Sequence, residues 1–174
     1  AGHSVRVYDD GPAGSTLLQR ASDSLADLAA HGLVEDPARI LARVAVVDSL
    51  AEAVGGVGYV QESVFESRDV KTELFRRIDA VVGPETVVGS SSSGIPASAF
   101  TKGLTHNARY LVAHPVNPPY LVPLVEVVPA PWTASESVAA TMGLMIAVDQ
   151  VPILVRKEVQ GFVLNRLQGA LLRE

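Results

Sequence analysis

Residues 113–128, AHPVNPPYLVPLVEVV, set two apolar runs on either side of a proline-rich segment and place a glutamate, Glu126, inside the second run. With the residues just upstream, RYLVAHP (109–115) and LVEVV (124–128) read as strands, and the prolines between them read as a turn capable of reversing the chain. Working outward, strands and helices take turns. SVRVYD (4–9), RVAVV (43–47), VGYVQES (57–63), TVVGSSSS (86–93) and VPILVRK (151–157) read as strands. STLLQRASDSLADLAAHG (15–32), RDVKTELFRRIDAVV (68–82) and SESVAATMGLMIAVDQ (135–150) have helical spacing, the last with a serine at its start. GFVLNRLQGALLRE (161–174) opens one more helix. Short strands separated by helices predict an α/β fold built on a doubly wound, mostly parallel sheet.

A chain of 174 residues at 48% hydrophobic composition can fill a sizeable core. The net charge is −5 and the 14 Lys and Arg are scattered, so no concentrated basic face predicts a nucleic-acid partner. Cysteine is absent, which excludes disulfides, thiolate metal sites and cysteine nucleophiles. No apolar run approaches membrane-span length and the start lacks the parts of a signal peptide, so a cytoplasmic protein with no membrane or metal partner is expected.

In a doubly wound sheet, ligands meet the carboxyl ends of strands. Asp9 closes the first strand; an acid there accepts from adenosine ribose hydroxyls and disfavours a 2′-phosphate, selecting NAD over NADP, although DDGP is also an ordinary turn sequence. The glycine-rich cofactor turn that should precede it is missing, since GPAGST and VGGVG have the wrong spacing. The expectation is therefore a Rossmann-type chain that begins late in the fold, without its first strand and Gly-rich loop. The serine run GSSSSGIP (89–96) follows a strand; its hydroxyls can meet a ligand, or the run can be a flexible connection.

A buried carboxylate needs a donor, and His114 on the preceding strand can supply one to Glu126. Such a pair fixes the imidazole tautomer and leaves the second ring nitrogen to take a proton from an alcohol, or it simply bridges a hairpin. Asn117 can carry its amide to a cofactor or cap the turn, and Asn165 can reach a substrate or tie two helices together.

Taken together, YVQESV (59–64), SSSSG (90–94), AHPVNPPYLVPLVEVV and VRKEVQGFVLNRLQ (155–168) closely resemble the 3-hydroxyacyl-CoA dehydrogenase superfamily, and within it the lambda-crystallin or L-gulonate 3-dehydrogenase branch. The resemblance spans nearly the whole chain. It implies an NAD-dependent 3-hydroxy dehydrogenase with His114 as catalytic base, Glu126 orienting it, Ser93 on the substrate and Asn165 in the active site. It also implies that Asp9, Glu66, Lys71 and Asn117 bind the cofactor. Phe65 departs from the proline or small aliphatic residue that usually precedes the glutamate matched by Glu66. The implied organisation is an NAD-binding Rossmann-like domain over 1–157 and, over 158–174, the first helix of a carboxyl-terminal helical domain that completes the cleft and a homodimer in the full-length protein. On this reading the chain is a fragment that is inactive by itself.

Residues 11–38 hold only Arg20 as a permanent cation, against Asp23, Asp27, Glu35 and Asp36, which is poor ground for the phosphates of CoA. The expected substrate is therefore a small hydroxy acid such as L-gulonate, with 3-hydroxyacyl-CoA and carnitine as alternatives and a crystallin-like structural role as the non-enzymatic one.

Overall fold

Runs of three to six β-branched and apolar residues make the strands, and the amphipathic segments between them make the helices. The fold is that of a computed structural model describing residues 2–11 and 14–174; Pro12 and Ala13, inside the GPAGST stretch weighed above, lie outside the described residues. The chain forms two compact units, Ala1–Gly55 and Gly56–Glu174.

In the first unit, β1 (Val5–Val7) pairs in parallel with β2 (Val44–Val46), and α1 (Leu17–Ala30) and α2 (Pro37–Leu41) lie between them in sequence. A third helix, α3 (Leu50–Val54), follows. The short helices begin where their caps dictate. The Asp36 side chain accepts from the Arg39 N–H and Pro37 occupies the first turn of α2, while Ser49 accepts from the Glu52 N–H at α3. At five residues each, they are too short to show a helical period, and the sequence reading did not anticipate them.

The second unit is a five-stranded sheet in the order β3 (Tyr59–Glu62), β4 (Val87–Ser90), β5 (Tyr110–Pro115), β6 (Leu124–Pro129) and β7 (Val151–Leu154). All neighbours are parallel except β5 and β6. Residues 116–123 are too few for the crossover of about a dozen residues that a parallel pair needs, so the proline-rich segment returns the chain antiparallel. Val87, Leu111, Ala113, Val125 and Val127 turn one face to Val138, Met142 and Met145 of the helix Ser135–Ala147. On the opposite face Phe75, from the helix Arg68–Asp79, meets Tyr110 edge-on with ring centres 5.4 Å apart, and Phe100 at 4.9 Å. Helices thus cover both faces, the doubly wound, mostly parallel arrangement that the alternation predicts. Each fully buried Leu, Val or Phe here contributes about 1.5–3 kcal/mol.

Three ends differ from the sequence reading. The helix Ser135–Ala147 is preceded by Ala134 with no side-chain cap, and Ser137 is buried, its hydroxyl donating to the Ala108 carbonyl at 3.0 Å. The strand read over 151–157 stops at Leu154. The last helix, Leu164–Leu171, starts three residues later than GFVLN suggests, because Gly161 (φ +76°) and Phe162 (φ +46°) lie in the left-handed region.

Candidate functional site

The antiparallel register sets His114 of β5 directly opposite Glu126 of β6, on one face of the sheet. Both are buried, and the imidazole Nδ1 lies 2.8 Å from Glu126 Oε2. The other carboxylate oxygen, Oε1, accepts from the backbone N–H groups of Val163 (2.8 Å) and Leu164 (3.0 Å). These are among the N–H groups that a helix start leaves without an internal partner. Glu126 therefore has three donors and no solvent, which is how an acid survives inside a valine-rich strand. A carboxylate only accepts, so Nδ1 carries a hydrogen toward Glu126, and in the neutral ring that tautomer leaves the lone pair on Nε2. The Phe162 ring packs against the imidazole with centres 5.9 Å apart, and its left-handed backbone aims the following N–H groups at Glu126.

Four of the expected residues line one pocket. Ser93, His114, Asn117 and Asn165 face a cavity of about 540 Å³, walled on its apolar side by Pro115, Val116, Leu164, Leu167 and Leu171. Asn165 Nδ2 donates to the Ser93 carbonyl at 2.6 Å, which ties the last helix to the serine loop and leaves the Asn165 oxygen available. Gln168, one turn after Asn165, also lines the pocket and was not anticipated. The arrangement can hold a hydroxyl between Ser93 and the imidazole and take its proton at Nε2.

Glu66 and Lys71 stand beneath the serine loop. Glu66 Oε1 accepts from the Ser92 hydroxyl (2.7 Å) and from the Ser93 and Gly94 N–H groups (3.0 Å each). Burial pushes this carboxyl up, but the bonds from Ser92 and Gly94 and the Lys71 charge outweigh it and hold it below the usual carboxylate value. Lys71 is 1% exposed; its ammonium lies 3.0 and 3.1 Å from the two oxygens of Glu62 and 3.4 Å from Glu66 Oε2. Glu62 was missed in the sequence, although an acid ending the apolar strand VGYVQES carries the same signal as Glu126.

In the first unit, Asp9 follows β1 with its carboxylate exposed. One oxygen accepts from the Gly11 N–H at 2.7 Å, the bond an Asx turn makes. Among the described residues there is no group of three His, Asp or Glu disposed to hold a metal ion, and no helix long and apolar enough to cross a membrane.

The chain is similar to known proteins. The family model described as "3-hydroxyacyl-CoA dehydrogenase, NAD binding domain" matches residues 1–159. Rabbit (Oryctolagus cuniculus) lambda-crystallin is 40% identical over 177 residues, covering 99% of this chain and 56% of its own length. L-carnitine dehydrogenase from Pseudomonas aeruginosa is also 40% identical, over 99% of this chain and 54% of its own length. Among solved structures, the 5-dehydrogenase of 5-formyl-3-hydroxy-2-methylpyridine 4-carboxylic acid, an NAD+-dependent dismutase, superposes with a TM-score of 0.82 at 34% identity, covering 98% of this chain and 55% of that one. The chain spans about half the length of these proteins. Matched along 1–159 and carrying the paired His114 and Glu126, it belongs to the 3-hydroxyacyl-CoA dehydrogenase family through its NAD binding domain, in company that includes the lambda-crystallins.

Proposed function

We propose that the whole protein is an NAD-dependent dehydrogenase that oxidises the secondary 3-hydroxyl of a small hydroxy acid, L-gulonate or a close relative. The observation that carries this reading is the buried Glu126–His114 pair opening on a pocket shared with Ser93 and Asn165. Glu126 holds the imidazole with Nδ1–H toward itself. His114 Nε2 takes the hydroxyl proton as the carbon loses its hydride, and the Ser93 hydroxyl holds the substrate oxygen. Asn165 fixes the Ser93 backbone and offers its own oxygen to the substrate. Bound NAD supplies the hydride acceptor. Asp9 would hold the adenosine ribose, and Asn117 and the outer edge of Glu66 the nicotinamide end.

The single cation among residues 11–38 supports a substrate without CoA phosphates. A second reading, a carnitine-type hydroxy acid, is favoured by the equal identity to L-carnitine dehydrogenase. We place the NAD-binding domain at 1–157 and the first helix of a helical domain at 158–174; the end of the family match at 159 supports that boundary. A cytoplasmic homodimer completes the proposal. NADH formation by the whole protein, offered L-gulonate, L-carnitine and 3-hydroxybutyryl-CoA separately, tests it. Turnover with gulonate is expected; turnover with the CoA ester alone would overturn the hydroxy-acid reading. NAD binding without turnover on any of the three would favour a structural role.

A further inference from the structure

The last helix turns a stripe of residues to the pocket: Leu164, Asn165, Gln168 and Leu171 recur at intervals of three and four and so share one face. In the function proposed above, His114, Ser93 and Asn165 serve the reacting hydroxyl and Asn117 the cofactor. Gln168 is the polar residue of the pocket wall left without a task. Its backbone carbonyl accepts from the Leu172 N–H at 3.0 Å, as any helical carbonyl does. Its side-chain amide has no hydrogen-bond partner among the described residues. The residue is exposed and flanked along the pocket by Leu164, Leu167 and Leu171, so the packing of the helix does not call for an amide there. On a face turned to bulk water a glutamine needs no explanation; this one stands at the mouth of a cavity that already holds an acid–imidazole pair.

We propose that Gln168 sets the substrate class: its amide pairs with a second hydroxyl of the substrate, near the carbinol that His114 deprotonates, and so selects a polyhydroxylated acid. This deepens the hydroxy-acid reading above and rests on it. Residues three apart on a helix have their Cβ atoms about 5–6 Å from each other. That is the span of a few carbon–carbon bonds, so Asn165 and Gln168 reach different parts of one small molecule. An amide both donates and accepts, which matches a hydroxyl, and a hydroxyl can replace the water that the substrate displaces from it. A plain acyl chain leaves those bonds unmade, which is the costly case. A trimethylammonium group offers no hydrogen bond either and is held best by aromatic faces. The described lining of the pocket contains no Phe, Tyr or Trp and no carboxylate, so it suits a polyol better than a carnitine-type substrate.

The test uses the whole protein and its Gln168→Met variant, which keeps the side-chain length and removes the amide. Initial rates of NADH formation are measured with L-gulonate and with L-3-hydroxybutyrate, which has the carbinol and the carboxylate but no further hydroxyl. Where 3-hydroxybutyrate turns over too slowly, its inhibition constant against gulonate is read instead. We expect kcat/KM for gulonate to fall about five- to tenfold, the worth of one neutral hydrogen bond, while the value for 3-hydroxybutyrate stays within about twofold or improves. The melting temperature should match the parent's, because the residue is exposed. An equal fall for both substrates would overturn the proposal and make Gln168 a support of the helix; no change with either would overturn it as well. Gulonate turnover with an unchanged substrate ratio overturns this inference alone, whereas a parent that leaves gulonate unused overturns the proposed activity and this inference together.

Discussion

Glu126 is buried with three donors: one imidazole nitrogen and two helix-start amides. Glu126→Gln replaces an acceptor-only group with one that must also present an NH2 group, either to His114 Nδ1–H or to the Val163 and Leu164 N–H groups. We predict a loss of roughly 10²-fold in kcat, at the lower end of what a positioned base contributes, and about 1–3 kcal/mol in denaturant-measured stability. Asp9 gives a second prediction at this scale: Asp9→Ser should narrow the preference for NAD over NADP by at least about tenfold in kcat/KM, through loss of its charge near a 2′-phosphate. The His114 and Glu126 pairing was legible because an acid in a β-branched strand demands a partner and the turn permits one. Glu62 carried that signal too, but its partner Lys71 lies on a helix, and no spacing rule connects a strand end to the face of a later helix. Which of four adjacent serines faces the pocket was not readable from spacing either. Ser90 and Ser92 turn to Glu62 and Glu66, and only the loop geometry leaves Ser93 at the cavity.

Elements are held by contacts that single substitutions can probe. A methyl group at Gly89, in the middle of β4, would collide with the Tyr59 hydroxyl and press on the Ala113 side chain. Gly89→Ala should therefore cost about 1–3 kcal/mol by urea denaturation, as overpacking does. On the opposite face, Asp79 accepts from the Tyr110 hydroxyl (2.7 Å), the His106 N–H (2.9 Å) and the Thr105 N–H (2.8 Å). Burial raises this carboxyl, but the bonds from Tyr110, His106 and Thr105 prevail and hold it below the usual value. A depressed carboxylate contributes stability at neutral pH and loses it as pH falls through the folded-state value. Asp79→Asn should thus be less stable than the parent at pH 7, and the gap should shrink steadily on acidification below about pH 4, read from melting curves against pH. Strand and long-helix positions were visible in the sequence. The late start of the last helix was not, because nothing marks Phe162 as left-handed until Glu126 is seen to need the amides that follow it.

For the molecule as a whole, the antiparallel β5–β6 pair does two things at once. It closes the hairpin that the prolines announce, and it brings an acid and an imidazole face to face at a pocket with the serine loop and the last helix. The doubly wound class followed from alternation alone, while the assembly of Ser93, Asn117, Asn165 and Gln168 into one cavity depends on tertiary packing that periodicity does not encode. Family membership gives the NAD binding domain, and the pocket argues for proton removal from a hydroxyl. The most direct test of that central claim is the initial rate of NADH formation from L-gulonate by the whole protein and by its His114→Ala variant, with NAD binding measured in both. The account predicts steady turnover by the parent and a rate at least 10²-fold lower in the variant with NAD affinity retained. Equal rates in the two proteins would contradict it.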